Sequence, residues 1–507
     1  MILPTRPSPG PVGGLRRCIL ACLAATASAG GQPLAAPPEP LCAYSVSSRG
    51  QPPDLTLAVA TTCADTVAAL RFADADRPFI TSAVGLDGAP AAPTPDGWRT
   101  RAGGLRYTLD VARRVREGAP SLDVAMTGDT VLLPLSAWMA RPEPASPGAL
   151  LHVTLPQAPG VAALHALAPV PDGRVPGSGV PGGGGRRFAL TAGDLPFAGY
   201  SVFSSRAAHV LAVPGPDREA LRIAVHVASD RFALPQADLA AWVGYFATLS
   251  AAYWQGFPTE RLPVAILPGG AGDRVSFGRV RAGGGATLQV VVGRNATLES
   301  LYREDWVLTH ELLHLAQPSL PRDGRWLMEG MATYIEPQLR HYAGLYSADR
   351  VWAEWLSGMP RGAEGLANRG LLRANPYWAG ALALLASHVA LVREDGEKSM
   401  ADCLSAGLLT LGSATRRATT GATVAACDQA LGRPLLGDFF ARHKHAAPFN
   451  LTGLWRQLGL RLSNGAVIYA KSPEKRSLRR MILSPPRHFV PPPLPRNVAI
   501  RLGIPRG

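Results

Sequence analysis

The sequence predicts an α+β protein, β-sandwich-like over its first 200 residues and mainly helical after that. Three observations carry this. Residues 41–200 are short alternating runs broken by Gly and Pro, such as Leu55-Thr-Leu-Ala-Val-Ala60, Leu105–Val111 and Leu151–Leu155. After Leu234 the apolar spacing changes to the helical period, first in Ala237–Trp254. The length, 507 residues, exceeds one ordinary core and suits two or three domains. A hydrophobic content of 47% excludes wholesale disorder.

Taken in order, residues 1–30 read as an export signal. Arg16 and Arg17 form a positive start, Cys18–Ala27 an apolar stretch, and Ala27-Ser28-Ala29 a small-residue cleavage site. The stretch is too short to span a bilayer, and lipid attachment at Cys22 would need a longer one before it. A β-rich domain is expected over 31–200, with a flexible Gly/Pro loop at 169–187. Strand-like runs His209–Val213 and Ala220–Val227 begin the next domain, 201–445. In it Pro263–Leu267 and Thr287–Val292 read as strands flanking the Gly-rich Gly269–Gly285. Leu298–Gln317 reads as a helix closed by Pro318 and Pro321, and Gly324–Glu336 as a second stopped by Pro337. Tyr377–Arg393, Met400–Leu411 and Thr423–His443 continue the helical part. Residues 446–507 form a basic, Pro-rich extension of strands and extended chain. Ala381–Val392 is apolar but short and interrupted by His388, a core helix rather than a membrane span.

Removing the leader leaves Cys42, Cys63, Cys403 and Cys427. In an exported chain these pair as Cys42–Cys63 and Cys403–Cys427, with buried free thiols as the alternative. The net charge is +14, and residues 471–507 hold nine basic side chains against one acid, Glu474. Such a tail can contact an anionic surface. Elsewhere the charge is spread, which argues against a nucleic-acid partner. Gly182–Gly185 and Gly283–Gly285 lack the Lys-Ser/Thr of a phosphate loop. His152, His165, His209 and His226 lie in strand patterns without ligand spacing and read as structural. His443 and His445 suit a helix end. Asn295-Ala-Thr297 and Asn450-Leu-Thr452 fit the glycosylation pattern, and Asn295 or Thr297 is placed to cap the helix that follows.

The chemistry concentrates in His310-Glu311-Leu312-Leu313-His314. Spacing i, i+4 sets both imidazoles on one helix face a turn apart, the separation two tetrahedral zinc ligands need. Glu311 is offset by one residue, where a carboxylate reaches a water without ligating the metal. A catalytic site needs a third ligand, and the next helix offers Glu329 and Glu336, with Asp323 before it.

That helix, Trp326-Leu327-Met328-Glu329-Gly330-Met331-Ala332-Thr333-Tyr334-Ile335-Glu336, closely resembles the W-x-x-E-G-x-A-x-Y-x-E helix of the gluzincin metallopeptidases. These include the aminopeptidase N type and the glycyl aminopeptidase group. The resemblance implies a thermolysin-like catalytic domain, one Zn²⁺ per chain, Glu329 as third ligand, and Glu336 as a carboxylate orienting a His or Tyr. The start Pro376-Tyr377-Trp378-Ala379-Gly380-Ala381 resembles the family's Y-x-K-G-A, whose Tyr stabilises the oxyanion. It makes Tyr377 a catalytic candidate, beside its reading as a core aromatic. Phe277–Val292 occupies the place of the substrate-binding edge strand.

Two departures stand out. Only fourteen residues separate His314 from Glu329, and no acid lies between Asp273 and Glu299, where the aminopeptidase N type grips a substrate amine. Endo- and exopeptidase specificity both stay open. The β-rich start, Tyr253–Pro258 and Leu431–Phe440 bring the chain closest to the glycyl aminopeptidase group, here without a PDZ domain. The expectation is an exported, periplasmic or secreted zinc peptidase acting on peptides or proteins through Glu311 as general base. The alternative is an inactive binding or scaffolding protein of the cell envelope on the same frame.

Overall fold

A computed structural model describes residues 39–504 apart from 119–122, 156–161, 166, 170–185, 215–219, 257, 260 and 395–397. The leader and nearly all of the 169–187 loop lie outside the described residues.

The alternation read from the sequence becomes one buried and one wetter face. Cys42–Arg49 buries Cys42, Tyr44 and Val46, every second residue. It pairs antiparallel with Thr56–Cys63 and parallel with Leu150–Leu155, inside a seven-stranded sheet. Two four-stranded sheets complete this sheet-rich part, one of them containing Thr130–Pro134 and Tyr200–Ser204. A short helix, α1 (Val111–Glu117), is capped by Asp110. The core here runs from Cys42 to Phe203. Cys42 lies opposite Cys63 in the register, and the two form a disulfide.

A five-stranded sheet opens the second part, in the order His209–Pro214, Ala220–Val227, Arg261–Pro268, Thr287–Val292, Val275–Arg281. The central three strands are parallel and nearly continuously apolar, as strands covered on both faces must be. Val275–Arg281, antiparallel to its neighbour, is an outer edge; the run Phe277–Val292 expected as one edge strand is thus two, with Val275–Arg281 inside the Gly-rich stretch and Thr287–Val292 next to it. Tyr200 N–H donates to Thr287 Oγ1 at 2.8 Å and His226 Nε2 lies 3.1 Å from Thr130 Oγ1, tying the sheet-rich part to this sheet.

Helices α2 (Gln236–Trp254) and α3 (Val307–His314) pack on it, and α4 (Arg325–Tyr342), α5 (Ala348–Arg369), α6 (Pro376–Glu394), α7 (Met400–Leu411), α8 (Thr420–Leu431) and α9 (Leu435–His443) pack beyond them, on these helices and on one another. Their shared core includes fully buried Trp242, Trp352 and Trp355, each contributing about 1.5–3 kcal/mol or more by burial. A second disulfide, Cys403–Cys427, joins α7 to α8. Among the described residues no helix is long and apolar enough to cross a membrane.

Several sequence readings need correction. The expected helix 298–317 is split: a π-turn at Ser300–Glu304 ends at Asp305, and α3 starts afresh after it. Pro337 does not stop α4, which continues to Tyr342. The missing N–H costs about 3 kcal/mol, and burial of Ile335, Leu339 and Arg340 on the same helix outweighs it. Gly432 and Pro434 divide 423–443 into α8 and α9. The extension holds three short helices as well as strands: α10 (Leu451–Leu458), a hairpin Leu460–Ser463/Ala466–Tyr469, α11 (Pro473–Ile482) and α12 (Arg496–Leu502). Pro491–Pro493 makes the whole extension read as strands and extended chain, but Leu478/Ile482 and Val498/Leu502, each four residues apart, bury one face of α11 and of α12.

Candidate metal centre

Helix α3 is capped by Asp305, not by Asn295 or Thr297. Asp305 Oδ1 accepts from Val307 N–H at 2.8 Å and Oδ2 from Leu308 N–H at 3.3 Å. Burial pushes the Asp305 carboxyl up to about 6, against the opposing pull of Arg340 and these two amides. Thr297 caps the preceding π-turn through Ser300 N–H, and Asn295 donates to Ala271 O.

From that start, His310 and His314 fall one turn apart, with ring centroids at 4.8 Å. The fourteen-residue connection is long enough to reverse the chain, so the first turn of α4 returns alongside α3. Glu329 Oε2 lies 3.2 Å from His310 Nε2 and 3.4 Å from His314 Nε2, and the three groups place one ligand atom each within 4.8 Å of one another. Burial would raise the Glu329 carboxyl, but hydrogen bonds from the two imidazoles outweigh it and hold it far below the usual carboxylate range.

The position of α4 is set by two glycines. A Cβ on Gly330 would stand 2.4 Å from Gly380 Cα, so only glycine lets α4 and α6 cross this closely. The crossing sets Tyr377, at the start of α6, against the cluster. Its ring stacks on His310 at 5.5 Å and 26°. Burial and the neighbouring Glu329 charge raise the Tyr377 pKa, so it stays a proton-bearing donor. Asn375 Oδ1 holds this helix start through Tyr377 and Trp378 N–H.

Glu311 points to the edge strand. Its Oε2 accepts from Val280 N–H at 3.0 Å. A Cβ at Gly278 would meet Glu311 Cγ at 2.7 Å, so the strand lies directly on α3. The free edge of Val275–Arg281 therefore faces the cluster.

Glu336 requires a correction. It orients neither imidazole: two turns beyond Glu329, its carboxylate takes the Arg340 guanidinium at 3.0 Å in a buried pair. Burial pushes the Glu336 carboxyl up to about 8, with Arg340 opposing. Arg340 also donates to Tyr346 Oη and Tyr302 O. Replacing Glu336 by Ala strands a fully buried guanidinium and is expected to cost about 3–5 kcal/mol of stability, read by urea unfolding, with metal content unchanged. Asp323 is engaged by Thr420 Oγ1 at 2.9 Å, outside the cluster.

Three groups were not read from the sequence. Gln317 lies with its amide nitrogen 2.9 Å from His314 Nδ1 and 3.1 Å from Met328 O, linking α3 to α4. Trp306, 48% exposed, stands edge-on to His310 at 5.3 Å. With Tyr377 it fixes a ring whose Nδ1 is buried without a hydrogen-bond partner. Both were visible as spacing: Trp306 is i−4 from His310, and Gln317 is i+3 from His314. The Val280 amide carries no side-chain signal.

The donor set suits zinc. Ligand bonds of about 2.0–2.1 Å at tetrahedral angles put ligand atoms about 3.3 Å apart, which is the spacing of Glu329 Oε2 from each imidazole. Two neutral nitrogens and one carboxylate leave a fourth position open.

Fold and cluster together put HExxH on one helix and the third converging group on the next, behind a sheet-rich first part. No family model and no curated protein matches the chain. Among solved structures, an aminopeptidase N family protein from Idiomarina loihiensis shares the fold. It is 13% identical, covered over 83% of this chain and 78% of its own, with a TM-score of 0.59. An M1 zinc metallopeptidase from Deinococcus radiodurans matches at 16% identity over 81% of this chain and 94% of its own. Its TM-score is 0.46.

Proposed function

We propose that the chain is an exported, zinc-dependent metallopeptidase. The observation that carries this is the convergence of His310 Nε2, His314 Nε2 and Glu329 Oε2 beside Glu311. Bound by these three atoms, zinc would polarise the scissile carbonyl and lower the pKa of a water toward about 7.

The chain's own groups do the rest. Val280 N–H fixes Oε2 of Glu311. The other oxygen, Oε1, takes a proton from the attacking water and delivers it to the leaving amine nitrogen. Tyr377 Oη donates to the carbonyl oxygen as negative charge develops there. The edge strand, its free side toward the cluster, pairs with an extended peptide and sets its carbonyl against Glu311. Both disulfides, and the leader read in residues 1–30, support export.

Purified protein should contain about one zinc per chain by elemental analysis and cleave unmodified peptides; a metal-free protein after zinc incubation speaks for a scaffold instead. Replacing Tyr377 by Phe removes one donor from the oxyanion and is expected to lower kcat about 10²–10³-fold, with KM little changed. An unchanged kcat would return Tyr377 to the role of a packing aromatic.

A further inference from the structure

The C-terminal strap, α10 to α12, carries the most basic surface outside the cleft. We propose that it docks the protein on an anionic lipid bilayer, leaving the metal centre uncovered. This inference does not depend on the peptidase reading.

The strap's location follows from two helices. Helix α4 carries Glu329 in its first turn, and Tyr342, its last residue, donates to Ser484 O at 3.0 Å. Thirteen residues at about 1.5 Å each separate them by about 20 Å. Helix α6 likewise starts with Tyr377 at the cluster and ends near Arg393, which donates to Gln457 Oε1 at 3.3 Å. The strap thus covers the far ends of both helices, and its α12 reaches the π-turn before α3, where Leu502 O accepts from Arg303 at 2.8 Å; among the described residues no strap hydrogen bond reaches the His310–His314–Glu329 cluster.

The strap's inward side is anchored. Leu478, Ile482, Phe489, Val498 and Leu502 are buried, and Arg479 donates to Leu458 O with its guanidinium over Tyr469. Its exposed residues include three arginines, each close in sequence to an exposed aliphatic. Arg480 precedes Met481 on α11, Arg487 lies three residues before Val490 in the following loop, and Arg501 follows Ile500 on α12. Met481 is 36% exposed, Val490 75% and Ile500 66%. Among the described residues no ion pair involves any residue after Arg433, so these arginines carry their charge uncompensated. Glu474 is the one acid of residues 471–507.

Uncompensated arginines alone suit any polyanion. The aliphatic side chain beside each selects lipid: headgroup phosphates take the guanidinium while the aliphatic tip enters the acyl boundary. A nucleic acid offers these tips nothing in return. Each basic residue near an anionic leaflet is worth about fivefold in partition.

The test is co-sedimentation of the full chain with vesicles of phosphatidylglycerol and phosphatidylcholine, against vesicles of phosphatidylcholine alone. Binding to the anionic vesicles is expected, weakened by salt. The triple variant Arg480→Glu/Arg487→Glu/Arg501→Glu should lose at least about a hundredfold in partition. The triple variant Met481→Ser/Val490→Ser/Ile500→Ser should lose the part of binding that survives high salt. All six side chains are exposed, so folding is preserved, and circular dichroism verifies it. The proposal is overturned if the anionic vesicles do not retain the parent. It is equally overturned if the serine variant binds as well as the parent while double-stranded DNA competes fully, since the strap is then a general polyanion site.

Discussion

Replacing Glu311 by Gln should leave zinc bound and lower kcat for peptide hydrolysis by about 10²–10⁴-fold. The amide is nearly the same shape, and its oxygen can still accept from Val280 N–H, so α3 and the edge strand keep their contact. None of the three converging ligand atoms belongs to Glu311. What disappears is a proton acceptor, because a carboxamide does not take up the water's proton near neutral pH. KM should change little, since peptide pairing with the strand is untouched. Metal content and kcat measured on one preparation separate the two effects. A variant retaining more than about a tenth of parental kcat would remove Glu311 from proton transfer.

Replacing Glu329 by Ala should abolish both zinc retention and hydrolysis. Groups that merely orient a ligand are worth about 10–100-fold in metal affinity, so a ligand itself must cost more than about 100-fold. In the parent, added zinc should raise the unfolding temperature, because metal binds the folded chain and not the unfolded one. In the variant that shift should vanish. The contrast with Glu336→Ala separates the two carboxylates. Loss at Glu336 weakens the fold through Arg340 and spares the metal; loss at Glu329 removes the metal. Full zinc binding by the Glu329 variant would assign the third ligand elsewhere.

The His310–His314–Glu329 cluster was legible because its signals are local. A spacing of four on one helix determines where two imidazoles point, whatever surrounds them. Resemblance along Trp326–Glu336 then singled out Glu329, and the folded chain brings it to both histidines. Roles that depend on packing from elsewhere were not legible. Glu336 lies on the same helix as Glu329, but its partner is decided by Arg340 turning inward toward Tyr302 and Tyr346. Helix α5 was missed because Pro360 and three glycines within Ala348–Arg369 read as breakers. All three glycines are there for close packing: Gly358 and Gly362 against Trp378, Gly365 against Ala374. The same holds for Pro337 inside α4, where a buried helix tolerates what an isolated one would not. The sheet-rich start was readable as a class from its alternation. Its division into one large and two small sheets depends on long-range pairings such as Cys42–Arg49 with Leu150–Leu155, which no local pattern encodes.

The central claim, a zinc centre that hydrolyses peptides, is tested most directly by one digestion. A peptide library is incubated with the purified full chain, with the same protein after chelation, and with the chelated protein after zinc is restored. Cleavage should occur, cease on chelation, and return with zinc. Cleavage indifferent to the chelator, or none by protein carrying one zinc per chain, would contradict it.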